Sequence, residues 1–286
     1  MSLGSHEPKR LVIASSLAGL IGVADLISSR GASAEPLDLS GYVETFVEEF
    51  KAFDISAYGP GTRWIAHTPW NGDFGDATFG NPGPFGPFSI TDKGLRISAT
   101  KTPDGKWYSG LICSMDRDGP GQQGFAQKFG YFEMRAKLPD GAGTWPAFWL
   151  VGIDKSVASS EIDILEYYGH DPRYFHAVQH IWVNGKDQYA KDKMMEVQPH
   201  LLTNNYNTFG VLISPDQIRF YLNRNEFWEA PTPAEYKQPM YILTNLALGG
   251  GWPIKDLKSP AVMDIEYIRV FQSRSLLEQG GGGAKP

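Results

Sequence analysis

Apolar and polar residues alternate with period two along most of this chain, no long stretch follows a 3.6-residue period, and Gly and Pro punctuate the gaps. Together these features predict an all-β fold, a β-sandwich of antiparallel sheets forming one domain from about Leu39 to Gln272. At 286 residues the chain is long enough for such a domain.

The first segment is not expected to count toward that domain. Lys9 and Arg10 precede an apolar run from Leu11 to Ala24, and Ala32-Ser33-Ala34 offers small residues for cleavage, which reads as a secretory signal peptide over residues 1–34. Asp25 ends the run short of the roughly 20 residues a spanning helix requires. The expectation is a secreted or periplasmic bacterial protein, with no stable membrane association once the leader is removed.

Val43 to Phe50 is the first β-rich run. Tyr58 to Ser89 is dense in Gly, Pro and rings, Trp64, Trp70, Phe74 and Phe79 among them, and reads as an ordered loop packed by its aromatics. Gly94 to Lys101 and Trp107 to Met115 resume the strands. Gly119-Pro120-Gly121-Gln122-Gln123-Gly124 has the spacing of a dinucleotide loop, but Pro120 interrupts it and β-alternation follows it, so a turn is expected. Phe132, Met134, Ala136 and Leu138 then oppose Tyr131, Glu133, Arg135 and Lys137, the pattern of a half-buried strand.

Tyr174 to Val183 is a further strand, whereas Lys186 to Asn205 is polar without a clear period and reads as a surface loop. Asn207 to Ser214, Ile218 to Asn223, Met240 to Leu246 and Val262 to Gln272 complete the β pattern. The domain is bounded at 35–272, and 273–286 reads as a flexible C-terminal tail ending in Gly280 to Pro286.

A net charge of −6 gives no basic face for phosphates, so nucleic acid is not an expected partner. Cys113 is the single cysteine, which excludes an intramolecular disulfide. No His-Glu-x-x-His or Gly-x-Ser-x-Gly pattern seeds zinc or serine chemistry.

The chemistry-bearing segment is Glu161-Ile162-Asp163-Ile164-Leu165-Glu166, three carboxylates within an apolar strand. Alternation puts Glu161 and Asp163 on one face and Glu166 on the other, unless one extra residue forms a β-bulge after Asp163 and returns Glu166 to the acidic face. Like charges in a row push their pKa values apart, which lets one carboxyl stay ionised while another stays protonated. A retaining glycosidase needs such a pair, with carboxyl groups about 5–5.5 Å apart. An acidic exposed edge strand or a calcium-ligating cluster would show the same six residues.

Glu161-x-Asp163-x-x-Glu166 resembles the bulged signature strand of glycoside hydrolase family 16. Phe129 to Pro139, Gly143 to Leu150, Thr244 to Pro253 and Tyr267-Ile268-Arg269-Val270 are similar, in family order, to segments of the same family. The resemblance implies a concanavalin A-like jelly roll of two curved antiparallel sheets with a concave substrate cleft. It implies Glu161 as nucleophile, Glu166 as acid/base, and Asp163 as the residue balancing the nucleophile's proton.

By the same resemblance Trp145, Trp149 and Trp252 line the sugar cleft. Trp145 and Trp149 share strand parity, which fits a common face. His180 matches a cleft histidine near the acid/base, with a structural histidine as the alternative. No cofactor is required by the chemistry. The family often carries a structural calcium held by an acidic residue before the final Tyr-x-Arg-Val, here Glu266 rather than Asp.

The expected activity is endo-hydrolysis of β-1,3 or mixed β-1,3/1,4 linkages in a polysaccharide, by a monomer. Leu111 stands where Arg often follows Ser-Gly, and Leu212-Ile213 where Glu-Trp is common, so a bacterial exopolysaccharide or galactan is an alternative substrate. Transglycosylation and non-catalytic glycan binding are the other readings the fold permits.

Overall fold

The computed structural model describes residues 35–278 and 284–285. The expected leader at 1–34 and most of Gly280 to Pro286 lie outside the described residues. In chain order the strands are Tyr42–Glu48 (β1), Ile55–Ser56 (β2), Trp64–Ile65 (β3), Thr78–Phe79 (β4), Phe88–Thr91 (β5), Gly94–Lys101 (β6), Trp107–Ser109 (β7), Leu111–Cys113 (β8), Ala126–Gln127 (β9) and Gly130–Lys137 (β10). They continue with Thr144–Gly152 (β11), Ser159–Glu166 (β12), Tyr174–Val183 (β13), Lys186–Glu196 (β14), Asn207–Ile213 (β15), Gln217–Leu222 (β16), Asn225–Pro231 (β17), Met240–Leu248 (β18), Ala261–Ser273 (β19) and Ala284–Lys285 (β20). Short helices span Leu201–Asn204 (α1) and Arg274–Glu278 (α2).

Two sheets carry the fold. The first runs β14-β13-β12-β11-β18-β8-β3-β2, and the second β17-β16-β15-β10-β19-β6-β7-β4, with β1 added beside β19 and β5 beside β6. The expected β-sandwich is therefore present. Sequential strands switch between sheets, as at Gly110, which separates β7 in the second sheet from β8 in the first. A side chain at Gly110 would meet the Phe88 ring, its Cβ 2.6 Å from a ring carbon, so the crossing needs a bare backbone.

Period-two alternation sorts the side chains. Phe148, Leu150, Ile162, Ile164, Phe132, Met134, Ile242 and Ile268 pack in the core between the sheets. The opposite face of the first sheet carries a second apolar cluster, with Ala147, Trp149, Val151, Leu243 and Ala247 under Phe74. β18 therefore buries both faces, which explains its near-continuous apolar sequence Met240 to Leu248.

Two expectations are corrected. Lys186 to Asn205 is no loop: β14 pairs with β13 over its length and α1 follows. An edge strand has one partner, and most β14 side chains are exposed, so polar residues stand on both faces and erase the period. At the C-terminus, β19 reaches Ser273 and α2 covers Arg274–Glu278, so regular structure extends beyond Gln272. Among the described residues no helix is long and apolar enough to cross a membrane.

Candidate active site

β12 pairs with β11 and β13, and its register slips between Asp163 and Glu166. Trp149 faces Asp163 and Phe148 faces Leu165 in the β11 ladder, leaving Ile164 as the extra residue of a bulge. Ile162, Ile164 and Leu165 point into the inter-sheet core, so Glu161, Asp163 and Glu166 form one row on the opposite face. This is the arrangement that the acidic strand was expected to need.

Each end of the row has its own donors. Trp182 Nε1 donates to Glu161 Oε2 at 2.8 Å. Trp145 Nε1 and Tyr168 Oη donate to Glu166 Oε1 at 3.1 and 3.3 Å. Asp163 lies between them, buried, with one carboxylate oxygen lacking any hydrogen-bond partner. His180 Nε2 lies 3.5 Å from Asp163 Oδ2, while His180 Nδ1 sits 2.6 Å from Asp187 Oδ2.

These surroundings separate the three acids. Burial raises Asp163 well above the usual carboxylate range, and the charges of Glu161 and Glu166 raise it further. Burial pushes Glu161 up to about 7 against the opposing pull of His180 and the Trp182 hydrogen bond. Burial also raises Glu166, opposed by Trp145, His180, His176 and Tyr168. With no donor to compensate it, Asp163 is the acid that best retains a proton, which it can share with Glu161.

Cross-strand pairing extends the site outward. On β13, His180 lies directly opposite Glu161 and His176 directly opposite Glu166. On β14, Asp187 and Asp192 engage these imidazoles, Asp192 reaching His176 Nδ1 at 3.0 and 3.1 Å. His176, Trp182, Asp187 and Asp192 were not singled out from the sequence. His176 and Trp182 have the parity of His180 on the same strand, a signal that was available. The two aspartates were hidden by β14's lack of period.

The expected sugar-binding tryptophans divide. Trp145 stacks with Tyr168 at a centroid separation of 5.9 Å, bound to the acid row. Trp252 is 44% exposed and stacks on His170 at 3.4 Å. Trp149 shares the face of Trp145 but is only 5% exposed, edge-on to Phe74 and Trp70, with Nε1 bonded to Asn245 Oδ1 at 2.9 Å. The loop before β4 folds over Trp149 and leaves Trp70 on the surface instead, 44% exposed. A pocket of about 250 Å³ lies beside Glu161, walled by Trp70, Lys155 and Trp182.

Gly249, Gly250 and Gly251 all have positive φ, and a Cβ on Gly250 would lie 2.7 Å from Tyr168 and 2.9 Å from Trp145. The loop carrying Trp252 can therefore pass the Trp145–Tyr168 stack only as glycine.

A larger hollow of about 660 Å³ lies away from the acid row, against Arg135, Tyr206 and Glu266. Glu266, which stands where the family often has a calcium-holding Asp, accepts a 2.7 Å hydrogen bond from Arg135 Nε. Among the described residues no group of three His, Cys, Asp or Glu converges on a metal position.

Endo-1,3-1,4-beta-glycanase EglC of Rhizobium meliloti is 30% identical over 258 residues, covering 82% of this chain and 53% of the relative. Endo-1,3-1,4-beta-glycanase ExsH of the same organism is 30% identical over 259 residues, with 82% and 53% coverage. The chain thus spans about half the length of these curated relatives. The laminarinase catalytic domain of Thermotoga maritima superposes with a TM-score of 0.63 at 20% identity, covering 81% of this chain and 98% of that one, and so shares its fold. The family model of glycosyl hydrolases family 16 matches residues 89–269, from β5 to β19 and through the whole acid row, and the chain belongs to that family.

Proposed function

We propose that this chain hydrolyses internal β-1,3 or mixed β-1,3/1,4 linkages of a glucan with retention of configuration, as an exported, monomeric endo-glycanase. The observation that carries the reading is the bulge at Ile164, which gathers Glu161, Asp163 and Glu166 on one face with indole donors at both ends. The activities for which the two Rhizobium meliloti relatives are named support the linkage class.

In the first step a Glu161 oxygen bonds to the anomeric carbon as the glycosidic C–O bond breaks, and Glu166 passes its proton to the departing oxygen. In the second, Glu166 takes a proton from water, the water oxygen bonds to the same carbon, and Glu161 leaves as carboxylate. Asp163 keeps its proton and holds the repulsion between the two glutamates in check. Exposed Trp70 and Trp252 offer ring faces to sugar on the same side as the acid row.

The test is a panel of laminarin, lichenan, agarose, carrageenan and a bacterial exopolysaccharide, followed by viscosity and by NMR of the first product anomer. Rapid viscosity loss with a β-anomer on laminarin or lichenan is expected. An inverted anomer would refute retention, and normal turnover by Glu161→Gln would refute the nucleophile. Export is checked by fractionation and N-terminal sequencing of the mature protein, and the monomer by light scattering.

A further inference from the structure

β12, β13 and β14 carry two parallel rows of carboxylate, imidazole and carboxylate. One is Glu161, His180 and Asp187; the other is Glu166, His176 and Asp192. The proposed chemistry uses the glutamates and leaves the second imidazole without a role.

Several features fix His176 in place. Directly opposed residues on neighbouring antiparallel strands bring their Cβ atoms to about 4.5–5.5 Å, so the His176 ring stands beside the Glu166 side chain. Both Asp192 oxygens lie within 3.1 Å of His176 Nδ1. A carboxylate only accepts, so Nδ1 carries the proton and the other ring nitrogen is free for a second one. The Tyr168 ring meets the imidazole edge-on at 5.8 Å and 79°, while Tyr168 Oη donates to Glu166. The plane of the imidazole and the position of the acid are set by one tyrosine.

The charges around His176 favour its cationic form. Asp192 faces it from β14, Glu166 and Tyr168 from β12 and the turn after it, His170 from the following loop, and His180 from its own strand. The hydrogen bond that His176 donates to Asp192 holds the imidazole above its ordinary range, with Glu166 adding to that effect, whereas burial keeps His170 below it. Two acids therefore bear on one imidazole.

We propose that His176, held by Asp192, is a positioning residue that acts through Glu166, a fixed cation that favours the ionised acid/base and so strengthens it as a proton donor. This rests on the reading of Glu166 as the acid/base. A nearby cation stabilises the carboxylate left after Glu166 protonates the leaving oxygen, and it weakens that carboxylate as the base of the second step. Its benefit is therefore greatest for leaving groups that need protonation, such as a sugar hydroxyl. An activated aryl leaving group gains little.

The experiment measures kcat/KM against pH on lichenan for wild type, His176→Gln, Asp192→Asn and the charge-keeping His176→Lys. The alkaline limb should rise by about half a unit to one unit in the first two variants and stay in place in His176→Lys. On an aryl β-glucoside with a good leaving group, the first-step rate should fall far less than on lichenan. Because Asp192 is exposed, Asp192→Asn preserves the test if His176→Gln folds poorly.

Coupling is reciprocal, so the histidine NMR titration of His176 should fall by the same amount in Glu166→Gln, a readout needing no turnover. An unmoved alkaline limb in both variants, or an unmoved His176 titration in Glu166→Gln, overturns the proposal. If Glu166→Gln turns over polysaccharide normally, the acid/base reading itself falls; if that variant is inactive while the limbs stay put, only the role of His176 falls.

Discussion

Trp182 Nε1 donates a 2.8 Å hydrogen bond to Glu161 Oε2, placing an indole N–H on the carboxylate proposed to attack the sugar. A donor to the ionised form lowers the acid's pKa, and burial works against it at this position. Trp182→Phe keeps the ring and removes the donor. The acid limb of kcat/KM should rise by about one unit, as loss of a hydrogen bond to a charged group requires. A pH–rate profile with unchanged limbs would show that the indole is only packing.

The raised carboxylates make stability fall with increasing pH. A folded-state pKa above the unfolded one means that the native protein binds more protons across the interval between them, so unfolding becomes easier as pH rises. For Glu161 that interval runs from 4.5 to about 7. Glu161→Gln should match wild type in stability near pH 4 and exceed it above pH 7 by on the order of 1–3 kcal/mol, and Asp163→Asn should shift in the same direction. Calorimetry across this range is the check.

Gly250 should tolerate no side chain. Gly250→Ala places a methyl against Trp145 and Tyr168, both of which donate to Glu166, at a residue with φ of 61°. Misplacing the acid's donors should lower kcat about tenfold or more, with a stability loss of about 1–2 kcal/mol. Activity at the wild-type level would mean that the loop moves without disturbing the stack.

Trp149 and Trp252 should respond in opposite ways. Trp149→Ala removes a buried ring and should destabilise by about 3–5 kcal/mol. Trp252→Ala removes an exposed ring and should raise KM with little change in melting temperature. Parallel thermal melts and kinetics on one soluble glucan distinguish the two.

On the second sheet, Glu133 is fully buried and accepts hydrogen bonds from Arg224 at 2.8 and 3.0 Å. Arg224→Met leaves that carboxylate without its cation and should destabilise by about 3 kcal/mol, whereas adding Glu133→Gln should restore much of the loss. Denaturant melts of the two variants test this, with kcat expected to stay constant.

Strand parity carried much of this site. It demanded a bulge between Asp163 and Glu166, and Ile164 supplies one because its neighbours Ile162 and Leu165 must all reach the same core. Parity also put Trp145 and Trp149 on one face, but it is silent on what lies above that face. Trp149 is covered by Phe74 and Trp70, some 75 residues upstream, a contact set by how a long loop folds back. Asp187 and Asp192 escaped notice because an edge strand in water has no apolar face to declare its period. Local pattern reports the sheet; the loops and the edge answer to tertiary packing.

β14 is hydrogen-bonded to a neighbour on one side only, while β12 is held on both. Free energies of local opening vary across a protein, and a singly held margin opens before an interior strand does. Backbone amides of β12 are therefore expected to exchange more slowly than those of β14, which carries the aspartates gripping the histidines. Each brief peeling of β14 would release both imidazoles while the acid row stayed in register. Proton affinity at this site is thus tied to the fraying of a ribbon that makes no covalent contribution to the reaction.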